Sequence, residues 1–137
     1  MRGGGKSGQA SLEYIITLCA ALAFISVSMG FFGGLRDGTM FALDVQNAKG
    51  FAQRLGEESR TLLLLGDGSQ SAIEAQIIGE WKTGSGPQGA QIIVSGTSGK
   101  TATVPLAHEI RKIPERAFSK KISATLEKSG GNVLWRD

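Results

Sequence analysis

The feature that most constrains this chain is a run from Ile15 to Leu35 that contains no charged side chain. As a helix this run is about 31 Å long at 1.5 Å per residue, which matches the roughly 30 Å hydrocarbon core of a bilayer. Arg2 and Lys6 precede the run, so the positive-inside rule predicts a cytoplasmic N-terminus. The run therefore predicts a membrane-spanning helix, with the bulk of the chain outside the cytoplasm.

A secretory signal peptide is the alternative interpretation of the same run. Gly30, Gly33 and Gly34 are small residues of the kind that such a cleavage site uses. The run is longer than the roughly 7–15 apolar residues of an ordinary signal peptide, and Glu13 and Tyr14 stand at its entrance. These two observations favour a retained helix.

The composition argues against several classes of function. Cys19 is the single cysteine and His108 the single histidine, so the chain cannot form an internal disulfide or a Cys/His zinc site. The 15 Lys and Arg residues are nearly balanced by 12 Asp and Glu residues, and no basic block is interleaved with aromatic residues. We therefore predict no metal site, no cofactor and no nucleic-acid partner.

The residues at the entrance of the run form a specific pattern. The stretch Lys6-Ser7-Gly8-Gln9-Ala10-Ser11-Leu12-Glu13-Tyr14 resembles the class III signal peptide of archaeal type IV pilin-like proteins, whose motif reads Gly-Gln-x-Ser-x-Glu-Tyr. The resemblance covers about the first third of the chain. It implies that a prepilin peptidase, a membrane-embedded aspartic protease, cuts between Gly8 and Gln9, with Lys6 and Ser7 completing the cleavage site.

The resemblance also implies an assembly and its partners. The mature protein is expected to leave the cytoplasmic membrane and to form a helical homo-oligomer, an extracellular filament, with the help of a pilus assembly ATPase and a membrane platform. Four residues are expected to set the register of neighbouring subunits: Gln9, Ser11, Glu13 and Tyr14. Six apolar residues are expected to pack in the filament core: Ile15, Leu18, Leu22, Ile25, Met29 and Phe32.

Glu13 carries a physical argument of its own. A carboxylate costs roughly 2.5–3.5 kcal/mol near the centre of a membrane and less near its surface, so an acid in such a segment usually has a partner. The α-amino group that cleavage frees on Gln9 of an adjacent subunit is a suitable cation. The alternative is that Glu13 lies at the cytoplasmic interface, with Tyr14 as an interfacial aromatic residue.

The helical pattern continues beyond the apolar run. A stripe of buried-type positions recurs at steps of three and four residues, while polar residues occupy the other faces. The stripe consists of Phe41, Val45, Ala48, Ala52, Leu55, Ser59 and Leu62, and the polar set of Asp44, Gln46, Lys49, Gln53, Arg54, Glu57, Glu58 and Arg60. The helix is predicted to end at Leu65, before Gly66-Asp67-Gly68. The alternative is two helices that are broken at Gly30, Gly33, Gly34 or Gly38.

The remaining residues predict short strands. Alternation over 73–81 predicts the first strand, and further strands are predicted at 90–95, 101–106, 121–126 and 132–136. Turns are expected at 83–89, 96–99 and 129–131, and the charged segment 108–120 is expected to be a short helix or a loop. About five strands joined by short turns favour an antiparallel meander that covers the outer half of the helix.

These elements define a fold class and a domain division. The chain is predicted to be α+β, with a long N-terminal helix and a small antiparallel β-domain packed on its C-terminal half. The domains are a cleaved leader (1–8), an apolar membrane or filament-core helix (9–38), an amphipathic continuation (39–65) and a β-rich head (66–137).

Two glycine-rich strings imitate nucleotide-binding motifs. Gly84-Ser85-Gly86-Pro87-Gln88-Gly89 has the spacing G-x-G-x-x-G, and Gly96-Thr97-Ser98-Gly99-Lys100-Thr101 resembles the end of a P-loop. Neither string is followed by a helical pattern, which both motifs require. We predict surface turns at both places.

The other chemically distinctive residues favour structural roles. His108 stands in a charged stretch with no residue to orient it, so we predict no catalytic residue and no enzyme. Trp81 and Trp135 are expected to fill the interface between sheet and helix, and Cys19 to pack as a small residue.

The function expected from the sequence is a pilin, the structural subunit of a surface filament. Two alternatives remain open. One is a minor pilin that initiates or tips a filament, and the other is a membrane-anchored extracellular module that binds a solute or an envelope component.

Overall fold

The structure, a computed structural model, describes residues 5–87 and 89–136, with side chains from Gln9 onward. All side chains of the predicted leader (1–8) therefore lie outside the description, and residues 1–4 lie outside it altogether. The chain divides into two compact units, an N-terminal one that ends at Arg36 and a C-terminal one that begins at Asp37. The predicted domain boundaries at the leader and at residue 38 stay predictions.

One helix, α1 (Gly5–Leu64), accounts for the first half of the chain. The predicted end at Leu65 is within one residue of the observed end. Helical backbone extends through Gly30, Gly33, Gly34 and Gly38, so the alternative of two separate helices does not match the described structure. The chain has 3 prolines, all of them after α1, and proline is the residue that most strongly breaks a helix.

In the C-terminal unit, one face of α1 is buried as its periodicity predicts. Ala48, Ala52, Leu55, Ser59 and Leu62 are buried, and Phe41 and Val45 are partly buried. These positions follow each other at three and four residues, so they share one side of the helix. The amphipathic stripe is therefore confirmed.

In the described residues of the C-terminal unit, eight strands form two four-stranded sheets. The first sheet has the order β1-β7-β8-β5 and the second has the order β4-β3-β2-β6. The strands are β1 (Gln70–Gln76), β2 (Glu80–Gly86), β3 (Gly89–Ser95), β4 (Thr101–Pro105), β5 (Ile110–Arg111), β6 (Ala117–Phe118), β7 (Lys121–Ser129) and β8 (Asn132–Arg136). All pairs are antiparallel except β5 with β8, which is parallel. The α+β fold class is confirmed.

The strand layout differs from the predicted single meander. The predicted strand 73–81 is two strands in different sheets, because the chain leaves the first sheet after Gln76 and enters the second at Glu80. The predicted turn 83–89 is wrong in extent, since β2 continues to Gly86 and pairs with Gly89. The charged segment 108–120 contributes two short strands, β5 and β6, each at a sheet edge.

Two predicted hairpins are confirmed. Ser95 pairs with Thr101 across the first turn, and Ser129 pairs with Asn132 across the second. Gly99 and Gly130 have positive φ values of 74° and 57°, a backbone conformation that glycine adopts without steric cost. The Gly96 to Thr101 string is thus a turn between strands.

The C-terminal end of α1 is capped by a side chain from the first sheet. The Lys128 ammonium on β7 donates to the carbonyl of Leu63 at 2.9 Å and also to the carbonyl of Leu65. A cation at this position satisfies carbonyls that have no helical partner and complements the helix dipole. The sequence prediction of the helix end relied on the glycines alone and missed this contact.

Candidate functional site

The apolar run is exposed around the whole circumference of α1. Ile16, Phe24 and Met29 lie on three different sides of the helix and are 60%, 74% and 72% exposed. The most apolar 18-residue window has a mean hydropathy of 2.3, and none of it is buried. By length and composition this helix is able to cross a membrane.

The six predicted core-packing residues belong to this exposed surface. Their spacing of three and four residues places them along one side of α1. Each is between 48% and 72% exposed: Ile15, Leu18, Leu22, Ile25, Met29 and Phe32. Their packing in a filament stays a prediction.

At the entrance of the run, Glu13 contacts only its own helix. The Gln9 side-chain amide donates to Glu13 Oε1 at 3.4 Å, and the Thr17 hydroxyl donates to the Glu13 carbonyl at 2.9 Å. Among the described residues, no Lys or Arg forms an ion pair with Glu13. The Glu13 side chain is exposed.

The other predicted register residues share this exposed stretch. Ser11 and Tyr14 are exposed on α1, Tyr14 to 70%. Lys6, Ser7 and Gly8 lie in the first turns of the helix, and their side chains fall outside the description. Cleavage after Gly8 and the register role of Gln9, Ser11, Glu13 and Tyr14 stay predictions.

The C-terminal unit contains a buried carboxylate that sequence reasoning placed wrongly. Asp44 was expected on the polar side of α1, yet it is 2% exposed. Its Oδ1 accepts hydrogen bonds from the backbone N–H of Ile78 at 3.0 Å and from Trp81 Nε1 at 2.9 Å. Its Oδ2 accepts one from the N–H of Gly79 at 2.9 Å. The carboxylate can be buried because two backbone donors from the β1–β2 connection and the Trp81 indole on β2 satisfy it.

Phe51 is the second core residue that the helical stripe missed. Its ring centroid lies 6.0 Å from that of Trp81 and 6.2 Å from that of Trp135. The three rings join α1 to both sheets, because Trp81 is on β2 and Trp135 is on β8. The predicted packing role of the two tryptophans is therefore confirmed.

A groove runs between α1 and β1. It has a volume of about 360 Å³. Its lining comprises Gln46, Asn47, Gly50, Phe51 and Arg54 of the helix and Glu74, Ala75 and Gln76 of the strand. The lining offers amides, one guanidinium and one carboxylate, which can hold a polar partner. It contains no Ser, Cys or His side chain that could act as a nucleophile or a general base.

The remaining candidate residues form no further site in the described structure. His108 is exposed. Among the described residues, no three His, Cys, Asp or Glu side chains are grouped so that they could hold a metal ion. Trp81 and Trp135 are both buried, so neither ring is available to stack against a ligand in an open cleft.

The exposed apolar helix and the groove beside β1 are thus the two features from which a function can be argued. Comparisons of the chain with protein-family models, with curated proteins and with solved structures gave no match.

Proposed function

We propose that this chain is the structural subunit of an extracellular type IV pilus-like filament. It is made as a membrane-inserted precursor, cleaved after Gly8, and polymerised through its N-terminal helix. The observation that carries the proposal is the apolar run on α1, which is exposed on every side of the helix. Such a surface requires lipid or the apolar helices of other subunits.

The hydrophobic core of the C-terminal unit strengthens this argument. In the described residues, this core draws only on positions from Phe41 onward. It includes helix residues such as Leu55 and strand residues such as Ile92 and Ile122, all fully buried. Since this core is complete without the apolar run, the run is free to serve association. Burial of apolar surface contributes about 25 cal/mol per Å² where the surface would otherwise face water.

The motif around Gly8 makes the proposal specific. Gly8, Gln9, Ser11, Glu13 and Tyr14 match the class III signal peptide of archaeal type IV pilin-like proteins in register. After cleavage the α-amino group of Gln9 becomes a cation at the entrance of the apolar run. We propose that it pairs with Glu13 of a neighbouring subunit, since a carboxylate in a low-dielectric bundle needs a partner charge.

The proposed route implies partners and a location. A prepilin peptidase removes residues 1–8, and an assembly ATPase with a membrane platform moves the subunit from the cytoplasmic membrane into the filament. The C-terminal unit then forms the outer surface of the filament. No catalytic residue takes part in this function.

The test is an intact mass with N-terminal sequencing of the protein from its own cells, in membrane and sheared surface fractions. We expect a species that starts at Gln9 in the sheared fraction. A species that starts beyond Gly34 would mean that the apolar run is an ordinary signal peptide, and would overturn the proposal.

The groove beside β1 favours a second candidate function. A membrane-anchored module could hold an extracellular solute or envelope component in this space of about 360 Å³. This candidate predicts a protein that stays in the membrane fraction as a monomer, without sheared filaments. The same fractionation therefore separates the two functions.

A further inference from the structure

The strand β1 has an open edge. It pairs only with β7, and the Ile77 N–H donates to the Lys120 carbonyl while the Lys128 N–H donates to that of Ser69. Antiparallel strands bond at every second residue, so the odd-numbered residues of β1 face β7. The backbone groups of Ala72, Glu74 and Gln76 therefore point away from the sheet. No described residue forms a hydrogen bond with these outward-pointing backbone groups.

The strand β4 has an open edge in the second sheet. Within the described part of the chain it pairs only with β3, and the bonds from Gly96 N to Lys100 O and from Leu106 N to Ala90 O place its even-numbered residues against β3. The backbone groups of Thr101, Thr103 and Pro105 therefore point outward. Pro105 offers only its carbonyl, because proline has no N–H.

The two edges match in the direction of their side chains. On β1, the outward-bonding residues Ala72, Glu74 and Gln76 have exposed side chains, and the alternate residue Ile73 is buried. On β4, the outward-bonding Thr101, Thr103 and Pro105 are likewise exposed, and Val104 is buried. Directly opposite residues in an antiparallel pair project to the same face. When the two edges pair, the exposed side chains of both strands therefore lie on one face of the combined sheet and the buried ones on the other.

The two strands run in opposite directions along α1. Ser71 at the start of β1 donates to the Glu58 carboxylate, and Ile78 after its end donates to Asp44, so β1 is antiparallel to this part of the helix. For β4 the order is reversed. Gly96, before β4, lies against the Phe41 ring, and Ala107, after it, lies 3.7 Å from the Cβ position of Gly56. The strand β4 is therefore parallel to α1.

We propose that β1 of one copy pairs with β4 of a second copy as an antiparallel intermolecular sheet. Ala72 lies opposite Thr103 and Glu74 lies opposite Thr101, and each pair exchanges two backbone hydrogen bonds. Pro105 then lies opposite Gln70 and ends the ladder, which fixes the register. This contact deepens the proposed filament function and rests on it.

The helix direction selects this pairing over its alternatives. Antiparallel pairing of β1 with β4 makes the Asp37–Leu64 segments of the two copies parallel, as subunits that leave the same membrane must be. Antiparallel pairing of β1 with β1, or of β4 with β4, makes these segments antiparallel. The β1–β4 contact also uses two different surfaces, so it leaves one open edge at each end and can continue from copy to copy.

The surroundings of the β1 edge leave room for an added strand. The groove lies beside this edge, and a Cβ atom at Gly50 on its floor would meet no atom within 4 Å. β1 contains neither Lys nor Pro, which commonly protect exposed edges from pairing.

The register also predicts an axial shift between copies. With Pro105 opposite Gln70, Ser71 lies opposite Val104. Ser71 contacts Glu58 and Val104 lines a cleft with Ala52, so Glu58 in one helix lies at about the level of Ala52 in the next. Six helical residues correspond to about 9 Å at 1.5 Å per residue. Neighbouring heads are therefore staggered along the helix direction.

The test is disulfide cross-linking of the full-length protein in its own cells, with Cys19→Ser as the parent. Opposite residues of a hydrogen-bonded antiparallel pair have Cα atoms about 5.5 Å apart, within the range of a disulfide. We expect the double variant Ala72→Cys with Thr103→Cys to give a ladder of dimers, trimers and longer species after oxidation with copper phenanthroline, in sheared filaments and in membranes. A matched control, Thr125→Cys with Thr103→Cys, places one thiol on β7 directly opposite Ala72, a strand inward and about 4.8 Å from the edge, and should give no ladder.

The outcomes separate this proposal from the proposed function. Filaments of the double variant without the ladder would overturn the β1–β4 contact and leave the filament function standing. Dimers from Ala72→Cys alone would indicate β1–β1 pairing and would also overturn it. A parent that yields neither filaments nor a species starting at Gln9 would overturn the filament function itself.

A proline variant gives a second test. Ala72→Pro removes an outward N–H that is not used within the described part of the chain, so the C-terminal unit should fold as before. We expect this variant to be exported and cleaved normally but to lose filaments. Normal filament yield from Ala72→Pro would contradict the proposal.

Discussion

The Asp44 carboxylate on α1 accepts a 2.9 Å hydrogen bond from the indole nitrogen of Trp81 on β2. The same carboxylate accepts the backbone N–H groups of Ile78 and Gly79, which connect β1 to β2. Because β1 and β2 belong to different sheets, one side chain ties the helix to the point where the chain passes between the sheets. Asp44 thereby fixes where both sheets lie on α1.

We predict that Asp44→Ala destabilises the C-terminal unit by about 3 kcal/mol. The substitution leaves three buried donors without an acceptor, and each unsatisfied group costs about 1–3 kcal/mol, with incomplete additivity. Asp44→Asn should cost less, because its carbonyl oxygen can keep the two bonds that Oδ1 makes. The measurement is urea unfolding of the full-length protein in detergent, followed by tryptophan fluorescence.

Asn47→Ala is the matched control for Asp44. Asn47 is exposed on the same helix, less than one turn away, so its loss should change the free energy of unfolding by no more than about 0.5 kcal/mol. Equal effects of the two alanine substitutions would contradict the role assigned to Asp44.

A second prediction concerns the close approach at Gly79. A Cβ atom at this position would lie 2.8 Å from the Ser95 carbonyl oxygen and 3.0 Å from Asp44 Oδ2. Gly79→Ala should therefore lower the free energy of unfolding by about 1–3 kcal/mol, because backbone atoms must shift.

Gly50→Ala should act in the opposite direction. No atom lies within 4 Å of its Cβ position, and alanine is favoured over glycine inside a helix by about 0.5–1 kcal/mol. Thermal unfolding of Gly79→Ala and Gly50→Ala in the same detergent measures whether each substitution lowers or raises the stability. A stabilising Gly79→Ala would show that the connection is not closely packed.

The sequence predicted the helix better than it predicted the sheets. The stripe from Ala48 to Leu62 was correct because helical periodicity is a local property of the chain. Asp44 was placed on the polar side because a charged residue is usually solvated. Its three donors belong to residues that follow Asp44 by 34 to 37 positions in the chain. No local sequence pattern indicates contacts over this distance.

The same contact explains the misassigned first strand. Alternation continues from Ile73 to Trp81, so a single strand was predicted. The backbone N–H groups of Ile78 and Gly79 bind Asp44 instead of a neighbouring strand, and the chain passes to the second sheet at this point. Sheet order depends on such long-range contacts, and the periodicity of a single strand does not show them.

A third prediction tests the cleavage site. Replacing Gly8 with a bulky residue, as in Gly8→Leu, should leave full-length precursor in the membrane and abolish sheared filaments, because the resemblance places the cut directly after this glycine. Immunoblotting of membrane and sheared fractions, with intact masses, measures both effects. Gly5→Leu, within the same leader, is the control and should be processed normally. Mature-size protein from the Gly8 variant would remove the cleavage assignment.

The last prediction separates processing from assembly at Glu13. Its carboxylate is exposed and, among the described side chains, accepts a hydrogen bond from Gln9 at 3.4 Å. We expect Glu13→Gln to be cleaved at the normal position, since the residue lies five positions beyond Gly8, but to give few or no filaments. An amide of the same size keeps the shape and the hydrogen-bonding capacity of the side chain while removing the charge that would pair with the Gln9 α-amino group of a neighbour.

Electron microscopy of sheared fractions, with intact mass as the measure of cleavage, separates the two steps. Ser26→Ala, which removes an exposed hydroxyl further along the same helix, is the control. If Glu13→Gln forms filaments as the parent does, the charge is dispensable and Glu13 is an interfacial residue beside Tyr14, as the alternative interpretation of the sequence holds.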